Sequence, residues 1–79
     1  MDKRFVKLSK IILSIFKKEK KKSLKLEKKI SSFKGFDSLN HLNLIFLIQK
    51  EFNIKFTLRD IEKTKTIADI IKYLKKNEN

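Results

Sequence analysis

FDSLNHLNLIFLIQKEFNIKF, residues 36–56, is the stretch on which the reading of this chain turns. The five apolar residues Leu44 to Ile48, taken alone, would pass for a buried strand. The span around them lacks turn signals and is too long for a strand, so it reads as a helix from Ser38 to about Phe52. Asp37 or Ser38 stands where a short polar side chain accepts a hydrogen bond from an N–H of the first turn. Because apolar residues fall on nearly every side, the pattern predicts a central helix.

Downstream, Thr57 and Asp60 in TLRD, then Thr66 and Asp69 in TIAD, share a Thr-x-x-acid spacing that lets each side chain reach the other's backbone N–H. Two helix starts follow. The first predicts a short helix over 58–63, and the second a helix over 66–76 that buries Ile67, Ile70, Ile71 and Leu74. Lys72, Lys75 and Lys76 lie toward the negative end of that last helix. Upstream, Phe5, Leu8, Ile12 and Ile15, with Ile11 and Phe16 beside them, predict an amphipathic helix over about 3–18.

Between that helix and Asp37 the periodicity fades into a lysine-rich stretch. Leu24, Leu26, Ile30 and Phe33 are placed to pin it as a long loop, and a connection of this length is often functional. The run KKEKKK, residues 17–22, reads as solvated. Phe36, Phe46, Phe52 and Phe56 read as core or loop anchors. The expected architecture is therefore all-α: a small four-helix bundle, one domain over 1–79, with a long loop after the first helix and a short third helix.

The chain has 79 residues, 21 Lys and Arg against 9 Asp and Glu, and a formal net charge of +12. Residues 1–35 carry 13 basic and 3 acidic side chains, a net of +10, and the remainder carries +2. Such a field favours polyanions, anionic membranes or acidic partners, although an abundance of Lys, Ile, Asn and Phe also follows from nucleotide bias in a genome. There is no cysteine, so disulfides and thiolate metal sites are excluded and a cytoplasmic setting is the simplest expectation. No apolar stretch approaches the roughly 20 residues that would span a bilayer.

Residues 36–56 resemble the second helix and following loop of acyl carrier proteins. The resemblance is strongest from Gly35 to Phe56 and continues more loosely through TLRDIEKTKTIADIIKYL, over roughly half the chain. An Asp-Ser-Leu tripeptide opens that helix in the family, and Asp37-Ser38-Leu39 occupies the position here. The resemblance implies that Ser38 is the attachment point of a phosphopantetheine arm, with Asp37 and Leu39 as its recognition context. It further implies a phosphopantetheinyl transferase using coenzyme A and magnesium, acyl-loading and acyl-transfer enzymes as partners, and an interior able to shelter a short acyl chain. The carrier would be monomeric and would not itself be an enzyme. A serine hydroxyl needs a base, and nothing in the chain is spaced to supply one. His41, one turn into the helix, lacks an acidic residue to orient it and reads as a polar surface residue.

In the family this helix usually carries acidic residues that dock on basic patches of partner enzymes. Here its polar positions read Asn40, His41, Asn43, Gln49 and Lys50, which points to a specialised carrier with different partners. The alternatives are a basic helical module for nucleic acid or an anionic membrane surface, and an unmodified carrier-like interaction domain. Nineteen lysines against two arginines argue against base-specific nucleic-acid readout. The basic amphipathic first helix and KKEKKK suit a lipid surface.

Overall fold

In a computed structural model, which describes residues 2–77, four helices follow one another: α1 (Lys3–Ile15), α2 (Ser38–Phe52), α3 (Leu58–Lys63) and α4 (Ile67–Asn77). Two 3-10 turns, Lys21–Ser23 and Ile30–Ser32, interrupt the connection from α1 to α2. The described residues form no strand beyond one isolated antiparallel bridge between Lys29 and Thr66.

Asp2 starts α1 by accepting a 2.9 Å hydrogen bond from the Arg4 N–H. The helix lays Leu8 and Ile12 into the interior and packs against α2 and α4. The centre of its apolar face is therefore turned inward, with Phe5, Ile11, Leu13 and Ile15 partly buried at its margins and the lysines outside. The helix ends at Ile15, three residues short of the expected end. Phe16 leaves helical geometry (φ −97°, ψ 75°), and its buried ring meets Phe33 edge-on at 5.1 Å. Leaving the helix at Phe16 buries that ring and lets Glu19 reach the interior.

Glu19 overturns the reading of KKEKKK as wholly solvated. Its side chain is 2% exposed. Its carboxylate accepts from the Lys34 N–H at 2.7 Å, the Ser23 hydroxyl at 2.9 Å and Lys28 Nζ at 3.0 Å. The Lys34 N–H, more than the other donors, holds the carboxyl down to about 2 against the opposing effect of burial. Leu24, Ile30 and Phe33 pin the loop as expected, but Leu26 does not and lies half exposed. At that point the backbone makes the attachment: Leu26 C=O accepts from the Ala68 N–H at 2.8 Å, and Lys28 C=O from the Ile67 N–H at 3.1 Å.

Both Thr-x-x-acid pairs form as reciprocal caps. Thr57 and Asp60 bond each other's backbone N–H at 3.1 and 2.9 Å, and Thr66 and Asp69 do the same at 3.1 Å each. The α4 helix buries Ile67, Ile70, Ile71 and Leu74, and lies one residue later at each end than expected. The α3 helix has no buried residue and depends on its cap and on Tyr73, whose hydroxyl lies 2.8 Å from Asp60 Oδ2 and 2.7 Å from Lys55 C=O. Asn53, in left-handed geometry at φ 53°, closes α2, and Gln49 Oε1 takes the Phe56 N–H at 2.7 Å to shape the loop into α3.

Although apolar nearly all round, α2 is not enclosed. Leu44, Ile45 and Ile48 face the core, while Leu39, Leu42 and Phe46 are 68%, 57% and 67% exposed. Phe46 is thus no core anchor. Phe36, Phe52 and Phe56 do pack, partly buried, against the core.

Candidate attachment site at the start of α2

The approach to α2 is held from both sides. Glu19 grips the Lys34 N–H, and Asn40 Nδ2 reaches back to Gly35 C=O at 3.0 Å. Gly35 sits between them at φ +85°, a backbone that side chains with a Cβ rarely adopt. Asp37 then serves as the N-cap: its Oδ1 accepts from the Asn40 N–H at 2.7 Å while its C=O takes the His41 N–H.

Because Asp37 does the capping, Ser38 need not. Ser14, Ser23 and Ser32 each donate their hydroxyl to a backbone carbonyl three residues earlier, but no hydrogen bond engages the exposed Ser38 hydroxyl among the described residues. It stands on the first turn of a 15-residue helix, where unpaired N–H groups and the helix dipole favour a phosphate. Leu39, next in the tripeptide, points into solvent. Of the three expected site residues one caps, one is free and one is displayed.

His41 is not the polar surface residue expected. Its ring is half buried against Phe36, 5.4 Å away, and Nε2 is buried with no hydrogen-bond partner. Burial pushes its pKa below the ordinary value, so the imidazole is neutral near pH 7. Nothing acidic bonds to it, and Ser38 has no base in this chain. An orphaned polar atom one turn from a free serine fits an arm that carries amide groups: Ser38 would hold phosphopantetheine, and His41 could meet a polar group of it. When bound, the group supplies the thiol that the cysteine-free chain lacks.

The sequence reading missed the continuation of the displayed surface. Leu39, Leu42 and Phe46 fall within about 60° of one another on a helical wheel, opposite Leu44 and Ile48. Exposed Leu58, the first residue of α3, is a further large apolar side chain outside the core. The available signal was charge: residues 38–49 contain no Asp, Glu, Lys or Arg in a chain with 38% charged residues. Among the described residues no helix is long and apolar enough to cross a membrane, and no His/Cys/Asp/Glu group could hold a metal ion.

A family model described as a phosphopantetheine attachment site matches residues 7–74. The acyl carrier protein of Wolinella succinogenes is 31% identical over 55 residues, covering 70% of this chain and 72% of that one. That of Thermotoga maritima is 36% identical over 50 residues, covering 63% and 62%. A solved structure from Mycobacterium tuberculosis, itself assigned as an acyl carrier protein, superimposes with a TM-score of 0.75 at 25% identity, covering 86% of this chain and 89% of that one. Fold and site together define a carrier, a protein that presents a covalently held group to other enzymes. The chain belongs to the acyl carrier protein family, with phosphopantetheine as its prosthetic group.

Proposed function

We propose that Ser38 takes the phosphopantetheine arm, with Asp37 and Leu39 as the context a transferase reads, and that the protein carries acyl thioesters for a specialised biosynthetic pathway. The observation that supports this most is the division of labour at the start of α2, where Asp37 makes the cap and leaves the Ser38 hydroxyl uncommitted. The transfer needs an external base: the Ser38 proton goes to the transferase, Ser38 Oγ bonds the phosphorus next to the pantetheine of coenzyme A, and the pyrophosphate bond breaks to release adenosine 3′,5′-bisphosphate with magnesium. The chain catalyses nothing itself and works in the cytoplasm; it does so as a monomer, since copies carrying +12 each repel one another.

Its partners dock on the uncharged stripe of Leu39, Leu42 and Phe46. The stripe itself carries no charge, so recognition there rests on apolar burial, while the net charge of +12 on the chain as a whole favours acidic partners at the encounter. That separates this carrier from relatives that dock through acidic second helices.

Intact mass after incubation with coenzyme A, magnesium and a permissive phosphopantetheinyl transferase is the test. One phosphopantetheine addition is expected, absent in Ser38→Ala. Addition that persists in Ser38→Ala, or none on folded wild-type protein with several transferases, would overturn the assignment.

A further inference from the structure

Along α2 and away from Ser38, an open groove of about 690 Å³ runs between α1 and α2. Ile11 and Leu47, both half-buried, supply its apolar part, and Lys7, Lys10 and Lys50 its charge. Glu51 also lines it, so three lysines against one glutamate leave a net +2. On a helical wheel Lys3, Lys7 and Lys10 fall within about 60° of one another, opposite Leu8 and Ile12, so the face that α1 turns from the core is a lysine ridge. None of Lys7, Lys10 and Lys50 forms an ion pair among the described residues. Lys7 Nζ lies over the Phe52 ring, 6.0 Å from its centroid, a contact that leaves the ammonium group without a carboxylate.

The groove joins the displayed stripe of α2. Lys50 falls in line with Leu39, Leu42 and Phe46 on the wheel, and Leu47 follows about 60° further round, on the side of α1. A partner lying on the stripe therefore meets the lysines as it extends toward α1. Ile11 and Leu47 sit back between lysines, where the flat face of a bilayer does not reach and a helix about 10 Å across does. Glu51 disfavours a backbone that is negative at every step, as that of a nucleic acid is. A protein helix sets carboxylates opposite the lysines and leaves them out opposite Glu51.

We infer that this groove takes an acidic amphipathic helix of a partner protein: its carboxylates lie against Lys7, Lys10 and Lys50, and its apolar side rests on Ile11 and Leu47 and runs on to Phe46. The inference rests on the carrier reading and deepens it, giving the docking partner its charge and placing α1 in the interface.

The test uses the full chain, isotope-labelled, and a stapled helical peptide of about four turns with leucines along one face and glutamates along its edge. Affinity is read by fluorescence anisotropy at physiological salt, and the site by methyl NMR. Two triple variants are compared: Lys7→Gln, Lys10→Gln and Lys50→Gln in the groove, and Lys21→Gln, Lys22→Gln and Lys25→Gln in the loop. All six lysines are exposed and glutamine keeps their helix propensity, so both variants fold. Each removes three charges, which separates the groove from the general field of the chain. The groove variant should bind the peptide about tenfold more weakly, as should a peptide with glutamine for glutamate, and the loop variant less than about threefold. The Ile11 and Leu47 methyl signals should shift on binding. Equal losses in the two variants, or unmoved Ile11 and Leu47 signals, would overturn the inference. Flotation of the wild type with phosphatidylglycerol vesicles at the same salt, abolished in the groove variant alone, would assign the groove to a lipid surface instead. Intact mass follows phosphopantetheine loading of the wild type in parallel: loading without a groove effect overturns this inference alone, and failure to load removes the carrier reading and the inference with it.

Discussion

Residues 17–34 hold nine lysines and two glutamates, whereas residues 38–49 hold no Asp, Glu, Lys or Arg, yet the charged segment sends side chains inward and the uncharged one leaves a stripe in water. The cause is the backbone. An irregular segment can aim each residue separately, and Glu19, Leu24, Ile30 and Phe33 all turn in. A helix fixes about 100° between neighbours, so one that is apolar all round and packed on one side must display the rest. Composition alone therefore misplaces both segments.

Paired substitutions within α2 give the largest test of this contrast. Leu44→Ala should cost about 2–5 kcal/mol in denaturant unfolding, because it opens a cavity in a closed core. Phe46→Ser, two residues along, should change stability by no more than about 0.5 kcal/mol while weakening transferase engagement, seen as a raised KM. Equal losses of stability in the two would mean that α2 has no displayed face.

Next is the loop. Glu19→Ala should cost about 3 kcal/mol, since it removes a buried carboxylate that holds the Lys34 N–H and Lys28, and by urea titration this should exceed the effect of Glu27→Ala, an exposed position. The same carboxylate sets an acid limit. Its pKa is lowered from 4.5 to about 2, so its stabilisation is complete above about pH 4.5 and is lost as pH falls toward 2. Glu19→Gln should flatten the fall in melting temperature over that window, and an unchanged slope would show that other groups set it.

The smallest effects lie at the turn into α2. Asp37→Ala should cost about 1 kcal/mol through loss of the cap. Gly35→Ala should cost roughly 1–2 kcal/mol through its positive φ alone, since no atom stands within 4 Å of the added Cβ. Both should slow the modification of Ser38 beyond what their stability changes account for, in single-turnover mass measurements on folded protein.

Much of this was legible in the sequence. Helical periodicity, the two Thr-x-x-acid pairs and the scarcity of breakers specify four helices and their order, because these signals are local. Asp37 likewise announces a helix start in one dimension, which puts Ser38 on the first turn of α2. What stayed hidden depends on contacts distant in sequence. Glu19 meets a backbone N–H 15 residues away, and no local pattern encodes that pairing. His41 is half buried because Phe36 folds over it. Leu26 turns out because its carbonyl is needed at Ala68, 42 positions on.

The α3 helix has six residues and buries none of them, but it supplies Ile61 and Glu62 to an open groove that Phe36 and His41 also line. Elements with little buried surface open at low free energy, while the core opens only with the whole molecule. Among the described residues its side-chain hydrogen bond to α4 is made by the Tyr73 hydroxyl, whose one proton cannot serve Asp60 and Lys55 at full strength together. The thinnest part of the molecule is thus also the part that opens first, and its six residues can yield while the rest stays packed.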